Sequence, residues 1–288
     1  MEMINTIKTF ISSVNMNNIR AALYAWLFNF FFSLIAYYGF YRVFSSAAGD
    51  SLLAGEAGSR YGVFNFLIDT FYNYKGSLPL IFSLLFLLTL LFALVSVFLA
   101  GGIYSVLIEE RKAGFSNLLY ASAESFFSMV KLLLVNILNW AIALIIPVFS
   151  MVLFWQPGIL KVNETVVPVF FFAWVTVSAV ILIFSTAIYD FSRISRLQED
   201  KNFLYAFKKG IIFTFTNKLN VLLLFLLYGA VLLILFLVYS AVSGLLTNAA
   251  DTIFIFILFQ IFMFLRYYLK IVLMHAEVKI AEDRFEEE

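Results

Sequence analysis

"LPLIFSLLFLLTLLFALVSVFLAGGIYSVL", residues 78–107, runs for thirty residues without a single charge. At 1.5 Å per residue a helix of that length reaches about 45 Å, against about 30 Å for the hydrocarbon core of a bilayer. The run is continuously apolar instead of alternating, which points to a helix and not to a barrel strand. Its excess length predicts tilt or extension into the interface.

Five more runs share this character: 21–41, 126–155, 166–189, 219–245 and 252–275. The whole chain is 63% hydrophobic and 13% charged, where a soluble domain has roughly 45–50% and about 25%. No globular core absorbs that excess, so the outer surface must itself be apolar. The sequence therefore predicts an all-α polytopic membrane protein, one transmembrane domain over 1–288 with six transmembrane helices.

Composition also excludes several functions. The chain has no cysteine, which removes disulfides, thiolate metal sites and cysteine nucleophiles. A net charge of +1 offers no basic patch for nucleic acid. No multi-histidine or carboxylate cluster, nucleophile elbow or phosphate-cradling loop is present, and His275 is the only histidine. Neither a catalytic residue, a cofactor nor a metal is expected.

Orientation follows from the lysines and arginines. One side of the six spans holds Lys8, Arg20, Arg111, Lys112, Lys131, Arg193, Arg196, Lys201, Lys208, Lys209, Lys218, Arg266, Lys270, Lys279 and Arg284. The other holds only Arg42, Arg60, Lys75 and Lys161. This asymmetry places both termini in the cytoplasm. The first apolar stretch runs to Arg42, too long and wrongly flanked for a cleaved signal segment despite "SSAAG" at 45–49.

Between the spans, 4–19 sets Ile4, Ile7, Ile11 and Val14 at helical spacing and predicts an N-terminal amphipathic helix lying flat on the cytoplasmic face. The long external link 42–77 repeats apolar residues at Phe64, Leu67, Ile68 and Phe71, which suits a short interfacial helix. Pro157-Gly158 marks a turn, and the acidic tail 281–288 reads as a solvated helix end or a disordered segment.

A shift of 85 residues brings 103–121 onto 188–206. Ile103, Tyr104, Arg111, Asn117, Leu119, Tyr120 and Ala121 then meet Ile188, Tyr189, Arg196, Asn202, Leu204, Tyr205 and Ala206. Both copies fall on the cytoplasmic link between two spans. This predicts a parallel internal repeat, units about 78–155 and 166–245, each with an amphipathic helix starting near its Asn. Parallel repeats with uninterrupted spans lack the broken-helix signature of many transporters. Extended further, the last span with the N-terminal helix and first span would make a third, circularly permuted unit.

Two groups of candidate residues stand out. Asp190, Arg193 and Arg196 share a helix face or tight turn, and Lys208 and Lys209 follow beside Phe203, Leu204 and Phe207. These suit contact with anionic lipid headgroups or a protein partner, against a plain role as positive anchors with local ion pairs. Asn136, Asn139 and Gln260 lie inside the spans. They are candidates for lining a cavity, against simple hydrogen bonding between helices. No carboxylate falls near a midplane, and Arg266 lies about two-thirds along the last span, so ion coupling has no evident carrier.

With "FLAGGI" at 98–103, "NLLYASAESFF" at 117–127 and "DFSRISRLQEDKNFLYAFKKGIIF" at 190–213 in view, the chain resembles a group of uncharacterised bacterial six-span integral membrane proteins. Their habits are a Gly-Gly pair ending span 2 and an Asp-aromatic-x-Arg-Ile motif ending span 4, here Asp190, Phe191, Arg193 and Ile194. Over roughly 78–245 the chain is also distantly similar to the membrane domain of glycerophosphodiester phosphodiesterases. That resemblance implies a membrane domain without the hydrolase. The expectation is a non-catalytic, lipid-contacting scaffold or accessory component. The alternative is a transporter or flippase-like conduit for a lipid or apolar small molecule.

Overall fold

A computed structural model of the chain describes residues 2–49, 78–154, 166–199, 202–246 and 252–285. Among the described residues there are eight helices and no strand. They are α1 (Glu2–Ser12), α2 (Met16–Gly49), α3 (Leu78–Ile108), α4 (Phe115–Phe154), α5 (Val166–Glu199), α6 (Phe203–Thr216), α7 (Lys218–Leu245) and α8 (Thr252–Phe285). All but α1 and α6 are long and apolar enough to cross a membrane. The reason is the solvent: in lipid each backbone N–H and C=O must find its partner within the segment, and a helix provides that. The chain is a helical multi-pass membrane protein. The expected interfacial helix around Phe64–Phe71 and the Pro157-Gly158 turn lie outside the described residues.

The N-terminal segment differs from the single helix expected over 4–19. α1 stops at Ser12, and its last turn tightens as Ser13 N–H reaches Thr9 O at 3.1 Å and Val14 N–H reaches Ile11 O at 3.1 Å. Asn15 Oδ1 then accepts from Asn18 N–H at 2.9 Å, the side-chain bond that starts a helix. The asparagine cluster is thus a helix start, from which α2 continues through Arg42 to Gly49, past the expected end of the first span. On α1 and the two residues after it, Ile4, Ile11 and Val14 are exposed, and Thr6, Phe10 and Ser13 are buried.

The chain divides into two units, Ala25–Ser96 and the remainder, Met1–Tyr24 with Val97–Glu288. In the smaller, Phe32 and Phe92 meet with ring centroids 5.4 Å apart, and Asn29 Nδ2 returns to Ala25 O at 2.9 Å.

In the larger unit, α1 packs on α7 and α8, seating Phe10 among Leu224, Val272, Leu273 and Ala276. A second cluster joins Val97 of α3, Met129 and Leu132 of α4, and Tyr189 of α5. α3 ends in a Schellman turn: Arg111 N–H bonds Val106 O at 3.1 Å and Glu110 N–H bonds Leu107 O at 3.3 Å, with Glu110 at φ 48°.

Two helix crossings are closer than any side chain allows. A Cβ placed on Gly102 of α3 would lie 2.6 Å from Leu118 O and 3.0 Å from Ser122 N of α4. One placed on Gly210 of α6 would lie 2.7 Å from Ile188 O and 2.9 Å from Ser192 N of α5. Each crossing sets a glycine against the backbone of two residues four apart, backed by a serine. The short helix α6 stands apart from α7, separated at Asn217, whereas 115–154 is one unbroken helix. The segment near 117–130 is therefore the first part of a spanning helix and not an element of its own.

Candidate functional site: a buried ionic cluster

The strongest concentration of polar chemistry lies where α3, α5 and α8 meet. Asp190 is the pivot. Its Oδ1 accepts from Arg193 Nη1 at 3.1 Å, one turn on, and its Oδ2 accepts from Lys270 Nζ of α8 at 3.1 Å. Two turns further along α8, Glu277 is fully buried, and its Oε2 accepts from the hydroxyl of Tyr104 at 2.8 Å. Tyr104 comes from α3 and is itself fully buried. The Arg193 guanidinium stacks 3.7 Å over the Tyr189 ring and lies 6.0 Å from the Tyr104 ring centroid.

The formal charges are two carboxylates against one guanidinium and one ammonium. A buried charge is tolerated only when paired and hydrogen-bonded, and here Asp190 carries both cations while a phenol serves Glu277. Each contact joins separate elements or turns of the chain, so the arrangement locks three helices together.

The sequence-predicted residues divide sharply. Asp190 and Arg193 do share a helix face, but that face is turned inward, so neither side chain lies on a headgroup-facing surface. Arg196 donates from Nη2 to Ser128 Oγ at 3.1 Å, tying α5 to α4. It lines a recess of about 210 Å³ with Ser105, Glu109, Arg111 and Glu124. Lys209 pairs with Glu199. Only Lys208 of the five is exposed.

Asn136 and Asn139 do come together. Asn139 Nδ2 donates to Ser185 Oγ at 2.8 Å, to Ser185 O at 3.1 Å and to Asn136 Oδ1 at 3.1 Å. Those bonds fasten α4 to α5. Gln260 sits half-buried on α8, and none of the three recesses described here is lined by any of these three residues. We expect Asn139→Ala to lower stability by about 0.6 kcal/mol, the usual worth of such a bond in a membrane protein. The shift in unfolding midpoint on titration with SDS in mixed micelles measures it.

His275 is a structural joint. Its Nδ1 accepts from Asn18 Nδ2 at 3.0 Å and Asn15 Nδ2 at 3.3 Å, since an amide nitrogen can only donate. These residues border a second recess of about 210 Å³ with Asn17, Glu110 and Arg111.

Lys270, Glu277, Tyr104 and Tyr189 were missed as partners in a site. Tyr104 and Tyr189 occupy aligned positions in the two expected repeat units, and they flank one guanidinium. Glu277 is hidden beside an acidic tail. Its signal is that the residues three and four away, Leu273, Met274, Ile280 and Ala281, are all apolar, which puts a carboxylate on an apolar stripe.

Comparisons with protein-family models, with curated proteins and with solved structures find no match.

Proposed function

We propose that this chain is a non-catalytic component of the bacterial inner membrane, both termini cytoplasmic, that contacts anionic lipid headgroups through short surface helices and acts as a scaffold or accessory to a partner protein. The observation that carries the reading is the two-faced packing of α6. Ala206, Gly210, Phe213 and Thr214 are buried, whereas Leu204, Ile212 and Phe215 are exposed beside Lys208. An exposed apolar stripe with a lysine is what an interfacial helix presents to a lipid boundary. α1 offers the same kind of surface with Ile4, Ile7 and Ile11 beside the exposed Lys8.

The lysine and arginine asymmetry supports the orientation. The two glycine–serine crossings, Gly102 with Ser122 and Gly210 with Ser192, support 78–155 and 166–245 as two copies of one unit, with the glycine moved to the other partner helix. The kinship to phosphodiesterase membrane domains is kept in this reading as a likeness of the membrane part alone. A conduit is the weaker reading, because Asn136 and Asn139 spend their hydrogen bonds on each other and on Ser185.

The test is hydrogen exchange over 203–216 with the full chain in phosphatidylcholine vesicles, with and without phosphatidylglycerol. A cation near an anionic surface is worth about 1 kcal/mol. Exchange should therefore slow about fivefold with phosphatidylglycerol, and Lys208→Glu should cancel the difference. Equal exchange in both vesicles would sink the headgroup role. Rapid transbilayer movement of a fluorescent lipid, lost in Asn139→Ala, would favour the conduit instead.

A further inference from the structure

From Ile253 to Leu265 α8 carries no charge, but thirteen residues rise only about 20 Å, short of the about 30 Å a hydrocarbon core requires. Arg266 follows at once. Its side chain is exposed, and it makes no ion pair or hydrogen bond with any described residue. A guanidinium at that depth is costly in lipid unless it meets an anion or reaches the headgroup layer.

Beside it opens a recess of about 440 Å³ between α5, α7 and α8. Its lining includes Arg266, Lys270 and the tyrosines Tyr228 and Tyr267, together with the apolar Leu182, Ile183 and Phe225. Lys270 gives one hydrogen bond to Asp190, and an ammonium has three to give.

We propose that this recess binds one anionic phospholipid, its phosphate held by Arg266 and Lys270 and an acyl segment lying along Leu182, Ile183 and Phe225. Charge complementarity selects the headgroup. A planar guanidinium grips phosphate oxygens in pairs, and the neighbouring ammonium adds a point charge. The apolar lining selects a lipid over a free anion. Asp190 fixes the Lys270 ammonium, which also lines the recess, so the buried cluster pre-positions half of the phosphate grip. The proposal deepens the lipid-contacting reading by naming a site on different helices from α6.

Native mass spectrometry of the full chain, released from micelles doped with phosphatidylglycerol or phosphatidylcholine, reads the bound lipid. We expect one phosphatidylglycerol retained about fivefold better than phosphatidylcholine, with the preference lost in Arg266→Gln and partly kept in Arg266→Lys. Arg266 has no ion pair or hydrogen bond among the described residues, so its replacement should leave helicity and monodispersity unchanged, and both are checked. Equal retention of the two lipids, or an undiminished preference in Arg266→Gln, overturns the proposal. Displacement of phosphatidylglycerol by inorganic phosphate overturns the lipid assignment. The exchange test on α6 is separate. If Lys208→Glu alters exchange and Arg266→Gln leaves lipid retention intact, the surface-helix reading stands and this site falls. The reverse result leaves this site and removes that reading.

Discussion

Asp190→Ala is expected to lower stability by about 3–5 kcal/mol, the usual cost of breaking a buried ion pair from one side. The carboxylate is the sole counter-charge within 4 Å for both Arg193 and Lys270 among the described residues. Its removal leaves two cations against Glu277, whose Oε2 is engaged by Tyr104. Set against a total of about 5–15 kcal/mol for an ordinary domain, that is enough to deplete the folded protein in the membrane. The measurement is SDS-induced unfolding in mixed micelles, followed by helicity. A second variant separates lost charge from lost volume: Asp190→Ala with Lys270→Met removes one stranded cation and should recover part of the loss. A cost under about 1 kcal/mol for Asp190→Ala alone would show that the cations find water or lipid phosphate instead.

Gly210→Ala is expected to be the next most damaging single change, by about 1–3 kcal/mol. The new methyl would meet Ile188 O at 2.7 Å and Ser192 N at 2.9 Å, both backbone atoms of α5 that cannot swing aside. It would also meet Ser192 Oγ at 2.2 Å, but that is a side-chain atom. Adding Ser192→Gly should therefore relieve only part of the loss, because the carbonyl contact remains. Full rescue by the second change would mean that the hydroxyl alone, and not the approach of two backbones, requires glycine. Gly102→Ala should behave alike at the α3–α4 crossing, whereas alanine at Gly229, where a Cβ meets nothing within 4 Å, should be neutral or favourable.

What was legible in the sequence follows the strength of the physical constraint. Runs such as 78–107 leave the chain no option but a helix, so the spanning helices can be placed from hydropathy alone. The helix ends are set by single contacts, and there reading fails: nothing in a periodicity announces that one helix stops at Ser12 and that Asn15 caps the next. The site is legible in part. Asp190 and Arg193 are adjacent on a helix face, which spacing reveals, but whether that face turns inward depends on α3 and α8, whose relevant residues lie 86 and 80 or more positions away. The unlike case is Gly102 and Gly210. Each is visible as a glycine, yet only the crossing geometry gives the reason.

The ionic cluster has a consequence for how such a chain is made. Asp190 and Arg193 sit one turn apart on α5, and Lys270 and Glu277 sit two turns apart on α8. Each helix thus brings one group of each sign of its own. On α5 the two pair directly, and the fold adds the contacts between helices, Lys270 with Asp190 and Tyr104 with Glu277. Those contacts exist only when α3, α5 and α8 lie side by side, so the cluster is a mark of their association and not of any one helix.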